Sequence, residues 1–211
     1  MASAYPTADD LVISWIVASH NPGIFEANLR PTLPADDELV LVENAPSIAV
    51  AYNEGQARST YGIRCYIHHD VMITDQAVLR RRLLDACTPD VGIVGVVGSR
   101  TDTWPWWNGP KLGSVLDSRL GLLDFGPGGE CAVLDGVLLA TAQDIDWDET
   151  YPGWHGYDHD ACAQMRARGL INCCLSGGHN LVRHNANSST NTNQVDGWFA
   201  AEQRYFQKWG S

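Results

Sequence analysis

The chain is 211 residues long, with 45% hydrophobic and 18% charged residues, a balance that excludes global disorder and supplies one substantial core. Its 25 Asp and Glu against 14 Lys and Arg leave a formal charge of −11, so the overall field repels nucleic acid and anionic lipid, and a phosphate-bearing ligand needs local help from a metal or backbone amides. No stretch reaches the roughly 20 apolar residues that span a bilayer, and the opening MASAYPTADD lacks the basic start and apolar core of a secretory signal, so a soluble, cytoplasmic protein is expected.

Leu11–Ala18 is a continuous apolar run that suits a central strand covered on both faces, and Ser19, His20, Asn21, Pro22 and Gly23 break it. A short helix over Ile24–Leu29 closes at Arg30-Pro31, because a residue before proline is biased away from helix. Leu39–Val42 reads as a second strand, Ser47–Ser59 as a helix capped by Ser47, and Gly62–Ile67 as a third strand. That alternation implies right-handed crossovers and a parallel sheet. Asp75–Ala86 follows as a helix with Arg80, Arg81 and Arg82 on a basic face, then Val91–Val97 as a buried strand. Trp104–Gly129 is rich in aromatic, glycine and proline residues and reads as loop, with rings that either pack or stack on sugar faces. Cys131–Ala140 resumes a strand, Asp158–Arg168 is a helix, Asn185–Asn193 is a polar, mobile tail, and Gly197–Trp209 closes as an amphipathic helix. The six cysteines show no CxxC pairing, so they read as free thiols in a reducing compartment rather than zinc ligands.

The segment YIHHDV, Tyr66–Val71, carries the first chemical signal. A buried strand that ends in His68, His69 and Asp70 delivers imidazoles and a carboxylate where α/β sheets place their sites, although a strand running into a polar turn has the same pattern.

Four segments in order, ASHNPG after the first strand, LVEN after the second, the helix AYNEGQAR and the strand end YIHHDV, resemble the GT-A glycosyltransferases. The likeness is to the family 2-like group with an HxDV-type metal segment related to streptomycin-biosynthesis transferases. DGVLLAT at Asp135–Thr141 and WHGYDHDACAQMRARGL at Trp154–Leu170 extend it over nearly the whole chain. The resemblance implies a single α/β domain over 1–211 of GT-A (Rossmann-like) type, with a mostly parallel central sheet flanked by helices. It assigns 1–100 to the nucleotide sugar and 101–211 to acceptor and catalysis. The activity it implies is metal-dependent, inverting transfer of a hexosyl group from a nucleotide-diphosphate sugar, such as a UDP-sugar, to a hydroxyl of a carbohydrate or other acceptor.

Carried over by position, Ser19 and Asn21 border the nucleotide, Glu43 sits near base or ribose, and Asn53 and Arg58 face the same cleft, though these last two also fit a solvated helix face. Asp70 takes the place of the last acid of the family's DxD motif as metal ligand, and His68 stands at the donor site where the first acid is usual. Imidazole tolerates Mn²⁺ better than Mg²⁺, which favours Mn²⁺. A late histidine supplies a second metal contact in such enzymes, and position favours His184 over His179. In YDHDAC, Asp158 aligns with the catalytic base and Asp160 with a second, more structural acid, while Tyr157 replaces the common glutamate. Both acids also fit as first-turn residues that favour the helix dipole. Two other classes stay open: a non-catalytic nucleotide- or carbohydrate-binding module of the same fold, and, less favoured, a metal-dependent hydrolase using His68, His69, Asp70, His155 and His159.

Overall fold

The side chains of β1 (Ile13–Ser19) are all buried, and alternate residues feed opposite cores: Ile13, Trp15 and Val17 one, Ile16 and Ala18 the other. This is a computed structural model, and it describes residues 12–186 and 194–210. Leu11 and most of the polar stretch Asn185–Asn193 expected as a mobile tail lie outside the described residues. After β1 come α1 (Pro22–Ala27), β2 (Glu38–Glu43), α2 (Ile48–Arg58), β3 (Ile63–Ile67), β4 (Val71–Ile73), α3 (Gln76–Ala86), β5 (Val91–Gly95) and β6 (Val97–Ser99). The chain continues with β7 (Lys111–Asp117), β8 (Gly121–Asp124), β9 (Gly129–Cys131), β10 (Val133–Leu134), β11 (Leu138–Thr141), α4 (Tyr157–Ala167), β12 (Ile171–Cys174), β13 (Val182–His184) and α5 (Gln194–Trp209).

A seven-stranded sheet has the order β2-β1-β3-β11-β5-β12-β9. Strands β2, β1, β3, β5 and β12 run one way and β11 and β9 run against them, so the sheet is mostly parallel in strand direction. Helices α1 and α3 cover one face, through Phe25, Leu79 and Leu83, and α2 and α4 the other, through Tyr52, Ala161 and Met165. Each such large side chain stabilises the fold by about 1.5–3 kcal/mol on burial. Ser47 caps α2 through a 3.3 Å bond from Val50 N. Among the described residues no helix is long and apolar enough to cross a membrane, and all six cysteines are free thiols.

A second, six-stranded sheet, β10-β6-β7-β13-β4 with β8 beside β7, differs from the sequence expectation. The run Val91–Val97 is not one strand, because after Gly95 the chain leaves the first sheet and pairs with β7 in the second. Cys131–Ala140 likewise divides, with the Asp135-Gly136 turn separating β10 in one sheet from β11 in the other. Trp104–Gly129, expected as loop, contains the β7–β8 hairpin, whose Leu112, Ser114 and Val115 are buried. Glycines and aromatic rings at its ends masked that pattern.

Candidate active site

Strand register assembles the site. His68 and Asp70 follow the carboxyl end of β3, and antiparallel pairing sets His184 of β13 opposite Val71 of β4. Parallel pairing of the same strand sets His184 beside Asp117 of β7. Asn185 N donates to Asp70 O at 2.8 Å, which fixes the two turns together. One ligand atom from each of His68, Asp70 and His184 lies within 4.8 Å of the others.

The donor set fits a divalent cation. Asp70 is 6% exposed and its Oδ1 makes no hydrogen bond, with His184 Nε2 beside it at 3.5 Å as an ion-pair contact. A desolvated carboxylate oxygen without a donor calls for a cation. Burial raises the Asp70 pKa, but His184, His68 and His69 more than offset it and leave the carboxyl well below the usual range. His184 Nδ1 donates to Asp117 Oδ2 at 3.0 Å, because a carboxylate only accepts, and this leaves Nε2 for the Asp70 side. Asp117 is itself held by the Arg119 and Leu120 amides at 2.8 and 3.0 Å. Burial lowers the His184 pKa, yet Asp70, Asp135 and Asp117 outweigh it, so the net shift is upward. For His68 burial dominates and the shift is downward.

These residues line a cavity of about 760 Å³ that also contains His20, Arg119, Asp135, Asp158 and several aromatic rings. The Asp158 side chain is largely buried; Oδ2 accepts from Gly136 N at 3.1 Å and Oδ1 from His159 N at 2.9 Å. Burial raises its pKa, and the His159 and Gly136 donors overcome that, so it stays ionised. Asp135, next to Gly136, is pushed the other way by burial and by the Asp158 charge. Tyr157 joins the two ends of the site: its hydroxyl is 2.7 Å from His68 Nε2. A Cβ at position 136 would come 1.9 Å from that hydroxyl, so the tyrosine requires glycine there. Gly156, at φ 78°, turns the chain into α4 in a left-handed conformation that favours glycine.

The other expected site residues are placed differently. Ser19 ends β1 and its hydroxyl is 3.0 Å from His69 Nδ1, so His69 is turned toward β1 rather than into the metal group; burial pushes its pKa down to about 4. Asn21 caps α1 through Ile24 N at 3.3 Å, and Glu43 is exposed at the end of β2. Asn53 is not in the cavity: it binds Trp147 O and Glu149 Oε1, both at 2.8 Å, and pins the 145–149 loop to α2. Arg58 also lies outside it, on the solvated face of α2, paired with Glu54 at 2.9 Å. Asp160 faces α5, accepting from Trp209 Nε1 at 2.7 Å and from Gln164 Nε2 at 2.8 Å. His179 binds Ser114 Oγ at 2.8 Å and is not among the cavity residues. Sequence reasoning assigned no role to Asp117 or Asp135. The DG of DGVLLAT was a signal for the second, whereas Asp117 is found only through the register of β7 with β13.

A family model described as "Glycosyltransferase like family" matches residues 16–209. No curated protein matches the sequence. Among solved structures, the mannosyltransferase PcManGT from Pyrobaculum calidifontis, in complex with GDP-Man and Mn²⁺, is similar with 14% identity and a TM-score of 0.56, over 93% of this chain and 63% of that one. The chain thus spans less than two thirds of that enzyme, and at this identity the likeness shows the fold alone. A197 from STIV is similar over 84% of this chain and 87% of that one, at 12% identity and a TM-score of 0.47. The fold is of GT-A type, and with the family match running from β1 to the end of α5, the chain belongs to the glycosyltransferase-like family.

Proposed function

We propose that the protein is a metal-dependent, inverting glycosyltransferase that moves a sugar from a nucleotide-diphosphate sugar to an acceptor hydroxyl. The observation that carries the reading is the His68, Asp70, His184 group with its partnerless Asp70 oxygen, in one cavity with the ionised Asp158. The similar fold of a mannosyltransferase that binds GDP-Man and Mn²⁺ supports the same donor class.

In this reading residues 1–100 hold the donor at the carboxyl ends of β1 and β3, and 101–211 supply acceptor and catalytic groups. Asp70, His184 and His68 would hold Mn²⁺ or Mg²⁺, whose chemistry when bound is to neutralise charge on the departing nucleoside diphosphate. Asp158 accepts the acceptor's proton as that hydroxyl oxygen bonds to the anomeric carbon. The carbon–oxygen bond to the diphosphate breaks on the opposite face, its electron pair leaves with the nucleotide, and configuration inverts. Arg119, on the β7–β8 turn, is the arginine or lysine among the cavity residues and adds positive charge near the leaving group. Ser19 orients the His69 ring beside the donor, and burial keeps that imidazole neutral. Asp160 acts through α5. Five buried thiols fit a reducing cytoplasm.

The test is release of nucleoside diphosphate from a panel of nucleotide sugars with Mn²⁺, with and without acceptor. Acceptor-dependent release supports transfer. Binding without turnover would make the protein a binding module, and release that no acceptor stimulates would make it a hydrolase.

A further inference from the structure

The cavity has two unlike ends. Around His68, Asp70 and His184 its walls are titratable, whereas beyond Asp158 they are rings brought from three segments. Trp104 and Trp107 come from the loop after β6, His155 from the turn before α4, and Trp198 from α5. Trp198 stands 5.3 Å from Trp104, 4.8 Å from Trp107 and 5.4 Å from His155, centroid to centroid. Trp107 remains 44% exposed, a large apolar face left open at the cavity.

Two polar atoms in this wall have no partner. Trp104 Nε1 and His159 Nε2 are buried without a hydrogen bond, and the two rings lie 4.4 Å apart. His159 is 2% exposed, and its Nδ1 faces Asp158 Oδ1 at 3.3 Å. A carboxylate only accepts, so Nδ1 carries the proton and Nε2 is a bare acceptor, while Trp104 Nε1 is a donor. The wall therefore offers an apolar face, one donor and one acceptor, directly beside the base.

A hydrocarbon chain would leave both nitrogens unsatisfied, at a cost of about 1–3 kcal/mol each. An anionic group would meet the carboxylates of Asp135 and Asp158, which line the same cavity. A pyranose ring meets every condition: its C–H face stacks on indole, and its hydroxyls both donate and accept.

We propose that Trp104, Trp107 and Trp198 form the acceptor subsite and that it takes the pyranose ring of an uncharged glycan, with hydroxyls meeting Trp104 Nε1 and His159 Nε2. Both nitrogens are buried at rest, so seating the sugar includes a rotation of Trp104. The proposal rests on the transferase reading of this cavity and names its acceptor class.

Tryptophan fluorescence and calorimetry with neutral oligosaccharides of glucose, mannose, galactose and N-acetylglucosamine test it, with farnesyl phosphate as the lipid comparison. Binding of GDP and UDP with Mn²⁺ is measured in parallel. At least one glycan should bind and change the fluorescence. Trp107→Ala, at an exposed position that leaves the fold intact, should weaken it about tenfold. Trp104→Phe, which keeps a ring but drops the N–H, should weaken it several-fold. Neither change should alter nucleotide affinity. The subsite is overturned if no glycan binds while GDP or UDP does, if farnesyl phosphate binds in a way that Trp107→Ala weakens and the glycans do not, or if Trp107→Ala leaves glycan affinity unchanged. Failure of both nucleotides to bind with Mn²⁺ counts instead against the transferase reading, and glycan quenching sensitive to Trp107→Ala would still support the wall.

Discussion

A buried carboxylate oxygen that makes no hydrogen bond, as at Asp70, has its acceptor capacity open to a cation. Asp70→Ala should therefore abolish Mn²⁺-dependent binding of nucleoside diphosphate while the protein stays folded, and calorimetry beside thermal unfolding reads both. Asp117→Ala, one residue removed from the ion, should weaken Mn²⁺ by about 10–100-fold, because His184 loses the acceptor that sets its tautomer. His184 ligates only as neutral imidazole, and its carboxylate neighbours raise its pKa above 6.5, so Mn²⁺ affinity should fall as pH drops through that raised value. A titration that is flat between pH 6 and 8 would remove His184 from the ligand set. Asp158→Asn keeps shape but not basicity: donor binding should survive and kcat fall by about 10² or more. Near-normal turnover would pass the role to Asp135, whose raised pKa suits a proton acceptor better.

Elements with a clean period were legible in the sequence, and those whose residues serve two sheets were not. β1 and β3 show in the residue pattern as continuous apolar runs buried on both faces, and α2, α3 and α4 as helices that each bury one side. Asp70, His184 and Asp158, singled out through motifs at strand and helix ends, line one cavity. Asp117 was not, since its part depends on which strand lies beside β13, and a strand's neighbours are not written in its own pattern. Asn53 and Arg58 lie outside the cavity for a related reason: a helix in the right place still has several faces, and theirs point to the 145–149 loop and to solvent. Helix α5 docks through buried Ala201 and Tyr205 and is tied further by ion pairs from Arg204 and Lys208 to Asp148. Burial raises the pKa of Asp148, but Thr150, Arg204 and Lys208 lower it further, so its net shift is downward. A depressed carboxylate contributes stability above its unfolded value, near 3.8, and loses it as pH falls through the folded one. Below about pH 4, amides of α5 should exchange faster while those of the central sheet hold. Arg204→Ala should bring that fast exchange to neutral pH.

At the scale of the molecule, a formal charge of −11 would oppose a dianionic donor at long range, so in the proposed reading its affinity would depend on the ion and on Arg119. Nucleotide sugar with Mn²⁺ at a hundredfold excess over Kd should stabilise the protein by about 2.7 kcal/mol, a rise of roughly 5–10 °C in Tm, and the nucleotide without metal should give little of it. The Asp135-Gly136 turn shapes what further change the molecule can tolerate. Gly136 makes room for the Tyr157 hydroxyl that meets His68, and its amide holds Asp158. Any side chain there would shift His68 and Asp158 together, so under the proposed roles donor chemistry and acceptor chemistry would not be tuned separately through this turn. Under the proposed subsite, new acceptor preferences would arise in the Trp104–Trp107 loop and around Trp198, where variation leaves the turn untouched.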